Sequence, residues 1–116
     1  MAIEHTPPGQ PVDVSPYGAR LATQATFAVF KARDLEVMRL VLAAGKSLPP
    51  HKVPGEITIH CIEGQLEITT PQRKTVLDPG QLVLLPGDEV HAVLALQASS
   101  ALVTVALKKP AQGATG

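Results

Sequence analysis

Two histidines, His51 and His91, occur in segments with similar glycine and proline spacing. His51 follows Gly45 after five intervening residues, and His91 follows Gly80 in a segment that also contains Pro86. An imidazole can bind a transition metal through a ring nitrogen, or act as a general acid or base near neutral pH. These two histidines are therefore the first candidates for a functional site.

Other reactive motifs are missing from the sequence. The glycines lie too far apart for a phosphate-binding loop, and the chain has no G-x-S-x-G elbow, no CxxC and no H-E-x-x-H. The single cysteine, Cys61, excludes an internal disulfide and fits a reducing compartment. We expect a cytoplasmic protein in which Cys61 is a buried small hydrophobe rather than a nucleophile.

The composition indicates a single-domain protein and argues against nucleic-acid-binding and membrane proteins. The 116 residues suit one domain, and ten acidic and ten basic residues give a formal net charge of zero. Without a basic stripe or cluster, we expect no nucleic-acid or membrane partner. No apolar run is long enough for a transmembrane helix, and the first ten residues do not resemble a signal peptide. Only three aromatic residues are present, so the core must be aliphatic.

Eleven prolines and nine glycines separate short apolar runs, which predicts an all-β sandwich or barrel. We predict a short strand at 12–14, a loop at 15–24 and a turn at 45–50. The interval between Gly64 and Gly80 has room for one strand pair, and residues 65–70 alternate apolar with polar side chains as its first member. The other strands are predicted over 25–31, 35–43, 56–62, 81–85, 90–96 and 101–107, although the Ala and Leu content of 89–107 would also allow a helix.

The spaced glycines, proline and histidines resemble the two motifs of the cupin superfamily. The first motif is G, five residues, H-x-H, three or four residues, E, six residues, G. The second is G, five residues, P-x-G, two residues, H, three residues, N. The matching residues here are Gly45, His51, Gly64, Gly80, Pro86 and His91.

This resemblance implies a double-stranded β-helix, a small jelly-roll barrel that is often a homodimer. Residues 21–108 would form the barrel, residues 1–20 an N-terminal arm with an edge strand, and residues 109–116 a loose tail. A ligand would enter at the mouth of the barrel, the usual location for a small molecule.

The sequence departs from the family at two of the four metal-ligand positions. Val53 stands at the second histidine position and Ile57 at the glutamate position. The resemblance therefore implies a degraded metal site that retains only His51 and His91. Glu56 lies one residue before the glutamate position. Parity here means which alternate residues of the strand point into the barrel, and Glu56 and His60 would point inward only if that parity shifted by one residue.

The ordinary parity, which the apolar residues favour, points Ile57, Ile59 and Cys61 inward and leaves His60 on the surface or in a dimer interface. The mouth of the barrel would then be lined by His51, Val53, Ile57, Ile59 and His91.

Three functions remain open. The first is a cupin that binds a small, mainly apolar molecule without metal. The second is an enzyme of oxygenase or isomerase type that uses a divalent transition metal on His51 and His91. The third is a structural homodimer whose cavity is filled by its own side chains. The sequence does not decide whether the protein is an enzyme.

Overall fold

The computed structural model describes residues 5–107, which contain nine strands and one short helix. The helix is a 3₁₀ helix over Gly18–Thr23. No helix within the described residues is long and apolar enough to cross a bilayer. The strands are β1 (Phe27–Lys31), β2 (Leu35–Leu42), β3 (Ser47–His51), β4 (Ile57–Glu63), β5 (Leu66–Thr69), β6 (Lys74–Leu77), β7 (Leu82–Leu85), β8 (His91–Ala95) and β9 (Ser99–Ala106).

The strands form two antiparallel sheets that enclose the core. One sheet has five strands in the order β1-β2-β9-β4-β7, and the other has four in the order β3-β8-β5-β6. Strands far apart in sequence are neighbours, such as β2 beside β9 and β3 beside β8, because the chain crosses repeatedly between the sheets. This is the all-β jelly-roll barrel that the sequence predicts.

Strand β4 establishes which side chains point into the barrel. Ile57, Ile59 and Cys61 are 4%, 2% and 0% exposed, whereas Thr58 and His60 are only half-buried. The strand pairs with β9 on one side and β7 on the other, so its register is held twice. A one-residue slip would expose both isoleucines, at a cost of about 3–6 kcal/mol of lost burial. The ordinary parity therefore holds.

The core at the closed end of the barrel is aliphatic, as the composition requires. Leu40, Ala101 and Cys61 follow one another across β2, β9 and β4. Leu66 and Ala95 pair on the facing sheet. These five residues are almost completely buried, and they close the end of the barrel opposite the loops that carry the predicted site.

A buried arginine attaches the segment before β1 to the outside of the five-stranded sheet. Arg39 is 2% exposed, and its Nη2 donates to the Ser15 carbonyl at 2.9 Å and to the Ser100 hydroxyl at 3.1 Å. Its guanidinium carbon lies 4.2 Å from the centre of the Tyr17 ring, in a cation–π contact. The Arg39 Nε is buried without a hydrogen-bond partner in the described part of the chain.

Glu63 completes this ionic cluster from the end of β4. Its carboxylate accepts the backbone N–H groups of Tyr17 at 2.9 Å and Gly18 at 3.1 Å, and also the Ser100 hydroxyl. Arg39 lies 3.6 Å from it. Burial raises the pKa of Glu63, but these hydrogen bonds and the arginine charge outweigh burial, so the net shift is downward.

The segment at 12–14 forms no strand, contrary to the sequence prediction. The side chain of Asp13 instead accepts hydrogen bonds from the backbone N–H and the hydroxyl of Ser15 at 2.9 and 2.6 Å. Such local bonds compete with strand pairing. The arm still touches the sheet, because the Thr6 N–H donates to the Val29 carbonyl at 3.1 Å. The predicted loose tail, 109–116, lies outside the described residues.

Two other segments differ from the prediction. The turn predicted at 45–50 is largely strand β3, which contains Pro49 and Pro50. It is the edge of its sheet and carries an irregular register between Leu48 and His51, and an edge strand tolerates proline because one side needs no ladder bonds. The loop predicted at 15–24 contains the 3₁₀ helix.

The strand pair expected between Gly64 and Gly80 is formed by β5 and β6.

Candidate ligand-binding site

A cavity of about 520 Å³ lies between the two sheets at the end of the barrel where β3 and β9 stop. Its wall on the five-stranded sheet has two rows of side chains taken from β2, β9 and β4. Because register partners lie side by side across a sheet, each row is continuous. The outer row is Glu36, Val105 and Ile57, and the inner row is Met38, Val103 and Ile59.

The facing wall belongs to the four-stranded sheet and carries the two predicted histidines. His51 ends β3 and His91 begins β8, and they are direct partners across the antiparallel pair. Their ring centroids are 4.4 Å apart with the planes inclined at 57°. His91 is 4% exposed, whereas His51 is exposed at the rim. The structure thus brings together the two histidines that the sequence singled out.

Each imidazole is oriented by a carbonyl two residues before it. The Nδ1 of His51 lies 3.2 Å from the Pro49 oxygen, and the Nδ1 of His91 lies 3.3 Å from the Glu89 oxygen. A carbonyl oxygen only accepts, so the hydrogen-bond network assigns the proton to Nδ1 in both rings. The two Nε2 atoms, which make no hydrogen bond within residues 5–107, are left as lone-pair acceptors.

Burial keeps His91 neutral. Removal from water lowers the pKa of this imidazole, and the nearby His51 lowers it further. The hydrogen bond to the Glu89 carbonyl and the Glu89 charge oppose the shift without reversing it. At neutral pH, His91 therefore presents an uncharged ring with a free Nε2.

The loops at the mouth fit together through two glycines. A Cβ on Gly55 would lie 1.8 Å from the Ala106 carbonyl oxygen, and one on Gly87 would lie 2.1 Å from the Pro54 carbonyl oxygen. Neither position has room for any side chain. The close approach of these loops places Val53 and His91 at the same cavity.

Asp88 is the only non-glycine residue with positive φ in the described chain, at 59°. When Pro86 is aligned with the proline of P-x-G, Gly87 falls at the x position and Asp88 at the glycine position. Its N–H donates to the Val53 carbonyl at 2.7 Å. Aspartate tolerates this conformation better than most residues, so the bend that precedes His91 is preserved without the glycine.

Glu56 and His60 do not reach the cavity. Glu56 is exposed beside the mouth, and His60 faces outward from β4 between Leu82 and Leu102. The alternative cluster of these two residues with His51 and His91 is therefore wrong, because the doubly paired β4 keeps its isoleucines inward. Val53, Ile57 and Ile59 do line the cavity, as the ordinary parity predicts.

Glu36 is the polar cavity residue that sequence reasoning missed. It lies in an otherwise apolar stretch of β2, and only its place in the outer row reveals its role. Lys31 of the neighbouring strand lies 3.9 Å from its carboxylate. The sequence signal that could have identified it is an acidic residue at an inward-facing position of an apolar strand.

The family model described as "Cupin domain" matches residues 38–106, more than half of the chain. The chain belongs to the cupin family. No curated protein matches it.

Solved structures share this cupin's fold at low sequence identity. A conserved protein of unknown function from Streptococcus pyogenes is 21% identical, with a TM-score of 0.73, over 95% of this chain and 100% of that one. A cupin superfamily protein from Desulfitobacterium hafniense is 15% identical, with a TM-score of 0.74, over 93% and 100%. KdgF from Halomonas sp. is 20% identical, with a TM-score of 0.67, over 72% and 80%. At these identities the likeness shows the fold alone.

Cupin domains often bind transition metals, but the residues of this cupin do not fit a metal centre held by protein ligands. The described chain contains no group of three or more histidine, cysteine, aspartate or glutamate side chains that could hold a metal ion. Val53 and Ile57, at the two substituted ligand positions, have no donor atoms in their side chains. The site offers two imidazole nitrogens, whereas protein metal sites of this kind take three or four ligands.

Proposed function

We propose that this cupin binds a small, mainly apolar molecule in its barrel cavity without a metal ion. The observation that carries the proposal is the cavity itself, of about 520 Å³, with His51 and His91 on one wall and aliphatic rows on the other. A volume of this size is typical of small-molecule sites, as is an apolar lining with few polar groups. Each methylene that the cavity takes from water contributes about 0.8 kcal/mol.

The two substituted positions support the same proposal. Val53 and Ile57 add apolar surface to the cavity at the places where the family motif has metal ligands. This change removes metal affinity and increases apolar contact with a ligand. The histidine pair then serves to orient the polar end of the molecule, since a few placed polar groups usually provide the specificity of such a site.

A metal-dependent enzyme is the second candidate, and one observation favours it. Both Nδ1 atoms bond to carbonyls, and this is the arrangement that usually orients histidine ligands toward a metal through Nε2. In that case His51 and His91 would hold a divalent ion, and water or substrate would have to complete its coordination. The ion would supply Lewis-acid chemistry.

The structural role is the third candidate. The homodimer that the family resemblance implies stays a prediction, as does a cytoplasmic location. A sedimentation-equilibrium mass of one chain at micromolar concentration would reject the dimer.

One protein preparation can distinguish the three candidate functions. Untagged protein prepared without chelator would be analysed by native mass spectrometry and by elemental analysis, beside the His51→Ala/His91→Ala variant. The binding proposal predicts substoichiometric metal, even after incubation with iron, nickel, zinc and manganese, together with uptake of the neutral dye N-phenyl-1-naphthylamine. Stoichiometric metal that is lost in the variant would support the enzyme. Neither metal nor dye would support the structural role.

The matched control for the histidine variant is His60→Ala. It removes an imidazole from the outer face of the same barrel, and it should bind the dye as the wild type does.

A further inference from the structure

The side chains that line the cavity contain very few polar groups. Within the described chain these groups are the Glu36 carboxylate and the imidazoles of His51 and His91; Met38 adds a thioether, and the remaining lining residues are aliphatic side chains, proline or glycine. No hydroxyl, amide, ammonium or guanidinium group is among them. The chemistry of a ligand's polar end therefore depends on what these three groups can accept or donate.

Both imidazoles can accept a hydrogen bond from a ligand in the cavity. Their Nδ1 protons are donated to the carbonyls of Pro49 and Glu89, which leaves a lone pair on each Nε2. The rings are only 4.4 Å apart, so one ligand group can reach both. In their neutral form the two rings offer a pair of acceptors and no donor.

Glu36 adds a third acceptor. Its carboxylate belongs to the outer row of the opposite wall. The Lys31 ammonium forms a salt bridge with this carboxylate at 3.9 Å, but 56% of the Lys31 side chain is exposed, so solvent screens the pair, and Lys31 is not part of the lining. An ionised carboxylate accepts and cannot donate, and it attracts a cation in the same cavity more strongly than it would in water.

Three backbone donors near the mouth are already used. The N–H of Asp88 bonds to the Val53 carbonyl at 2.7 Å, that of Ala106 to the Glu56 carbonyl at 2.9 Å and that of Leu107 to the Asp34 carbonyl at 2.9 Å. These three N–H groups lie beside the cavity and are satisfied within the protein. They are not free to hold an anion.

We infer that the cavity recognises apolar molecules that carry a hydrogen-bond donor, a hydroxyl or an ammonium group, and discriminates against carboxylates of the same shape. A donor would satisfy the Nε2 pair of His51 and His91, whereas a carboxylate would meet only acceptors there and the negative charge of Glu36. A ligand whose polar group is buried without a hydrogen-bond partner binds about tenfold or more weakly than one whose polar group is paired. This inference rests on the proposed binding function and specifies its ligand class.

Four probes with one skeleton test it: 2-naphthalenemethanol, 2-naphthylmethylamine, 2-naphthoate and 2-methylnaphthalene. Their fluorescence is read without tryptophan background, because the chain has no tryptophan. At pH 8, we expect the alcohol and the amine to bind at least about tenfold more tightly than the carboxylate. The alcohol should also exceed the methyl compound.

Two variants assign the preference to the named groups. His51→Leu/His91→Leu should bind 2-methylnaphthalene at least as tightly as the wild type, which shows an intact cavity, and should lose the advantage of the alcohol. Glu36→Gln should reduce the amine's affinity relative to the alcohol's. His60→Leu, on the outer face, is the matched control and should keep the wild-type order.

The outcomes separate the two claims. Equal binding of all four probes, or tighter binding of the carboxylate, would overturn the inference and leave the apolar cavity as a binding site. An unchanged alcohol preference in the double leucine variant would also overturn it. Binding of none of the probes would refute the proposed function, and the inference would fall with it.

Discussion

His51 and His91 face each other across the β3–β8 pair with their ring centroids 4.4 Å apart, and each Nδ1 donates to the carbonyl of the residue two positions before it. Each ring is thus oriented by a backbone carbonyl. Among the residues that the structure describes, everything else that lines the cavity apart from Glu36 is apolar or backbone.

The first prediction concerns pH. Because burial holds the pKa of His91 below its value in the unfolded chain, the unfolded state takes up a proton first as the pH falls below about 6.5. Folding stability therefore declines as the pH falls through this window, and it levels off below the folded pKa. Urea midpoints of the wild type and of His91→Gln, measured between pH 8 and pH 5 at constant ionic strength, check this.

Groups that do not interact with His91 contribute equally to both proteins in that comparison, so the difference reports His91 and its coupling to its neighbours. His51 and Glu89 are the charged or titratable neighbours that act on it. Stability that falls in parallel in the wild type and His91→Gln would show that His91 titrates as it does in the unfolded chain.

The second prediction concerns the ionic cluster outside the barrel. Glu63→Gln leaves Arg39 buried with no countercharge, and we expect a loss of about 3 kcal/mol in the free energy of unfolding. We also expect faster proteolysis of the segment 15–24, because Tyr17 and Gly18 lose a charged acceptor. Since the pKa of Glu63 is lowered, this stabilisation is present above the unfolded pKa and lost as the pH falls through the folded one.

Glu67→Gln is a matched control, because Glu67 lies on β5 in the other sheet and makes no salt bridge within residues 5–107. It should change stability by less than about 0.5 kcal/mol. Equal effects of the two substitutions in chemical denaturation would contradict the role given to Glu63.

The third prediction concerns the loops that meet at the mouth. Gly55→Ala places a Cβ 1.8 Å from the Ala106 carbonyl oxygen, so the loop must move. We expect a loss of about 2–3 kcal/mol and weaker ligand binding. Gly80→Ala is the comparison, since its φ of +89° strains an alanine but its surroundings are open; it should cost about 1 kcal/mol and leave binding unchanged. Thermal melts that rank the two variants in the reverse order would refute the steric account.

The fourth prediction concerns the bend before His91. Asp88 has a φ of 59°, which asparagine also tolerates and a β-branched residue does not. Asp88→Asn should therefore be nearly neutral, whereas Asp88→Val should lose about 1–2 kcal/mol. Guanidinium titrations of both variants measure this difference, and equal midpoints would show that the bend is not strained.

The barrel was largely predictable from the sequence because its signals are local. Alternation in β4 and β5, and glycine and proline at the turns, indicate where strands lie and which side faces inward. The aliphatic core follows from the near absence of aromatic residues. The resemblance of the motif spacing to the cupin family implied that His51 and His91 lie together at the mouth of the barrel.

Other features depended on tertiary pairing that one sequence does not display. The sequence predicts a turn at 45–50, yet Pro49 and Pro50 belong to β3, an edge strand where proline removes no ladder bond. Glu36 and Arg39 lie in one apolar strand on opposite faces. Only the register with β9 shows that the first faces the cavity and the second is buried beneath the N-terminal segment. A charged residue in an apolar strand indicates that its side chain has an unusual environment, but the sequence does not show whether that environment is a cavity or a buried ionic cluster.

The central claim is that an apolar ligand occupies the barrel cavity, and the most direct test is to fill the cavity. N-phenyl-1-naphthylamine would be titrated into the wild type, into Val105→Phe, which adds a ring to the outer row, and into Thr104→Phe, which adds the same ring on the opposite face of β9. We predict saturable binding to the wild type and Thr104→Phe, and affinity at least about tenfold weaker for Val105→Phe. Equal affinities for the two phenylalanine variants, or no binding to the wild type, would contradict the claim.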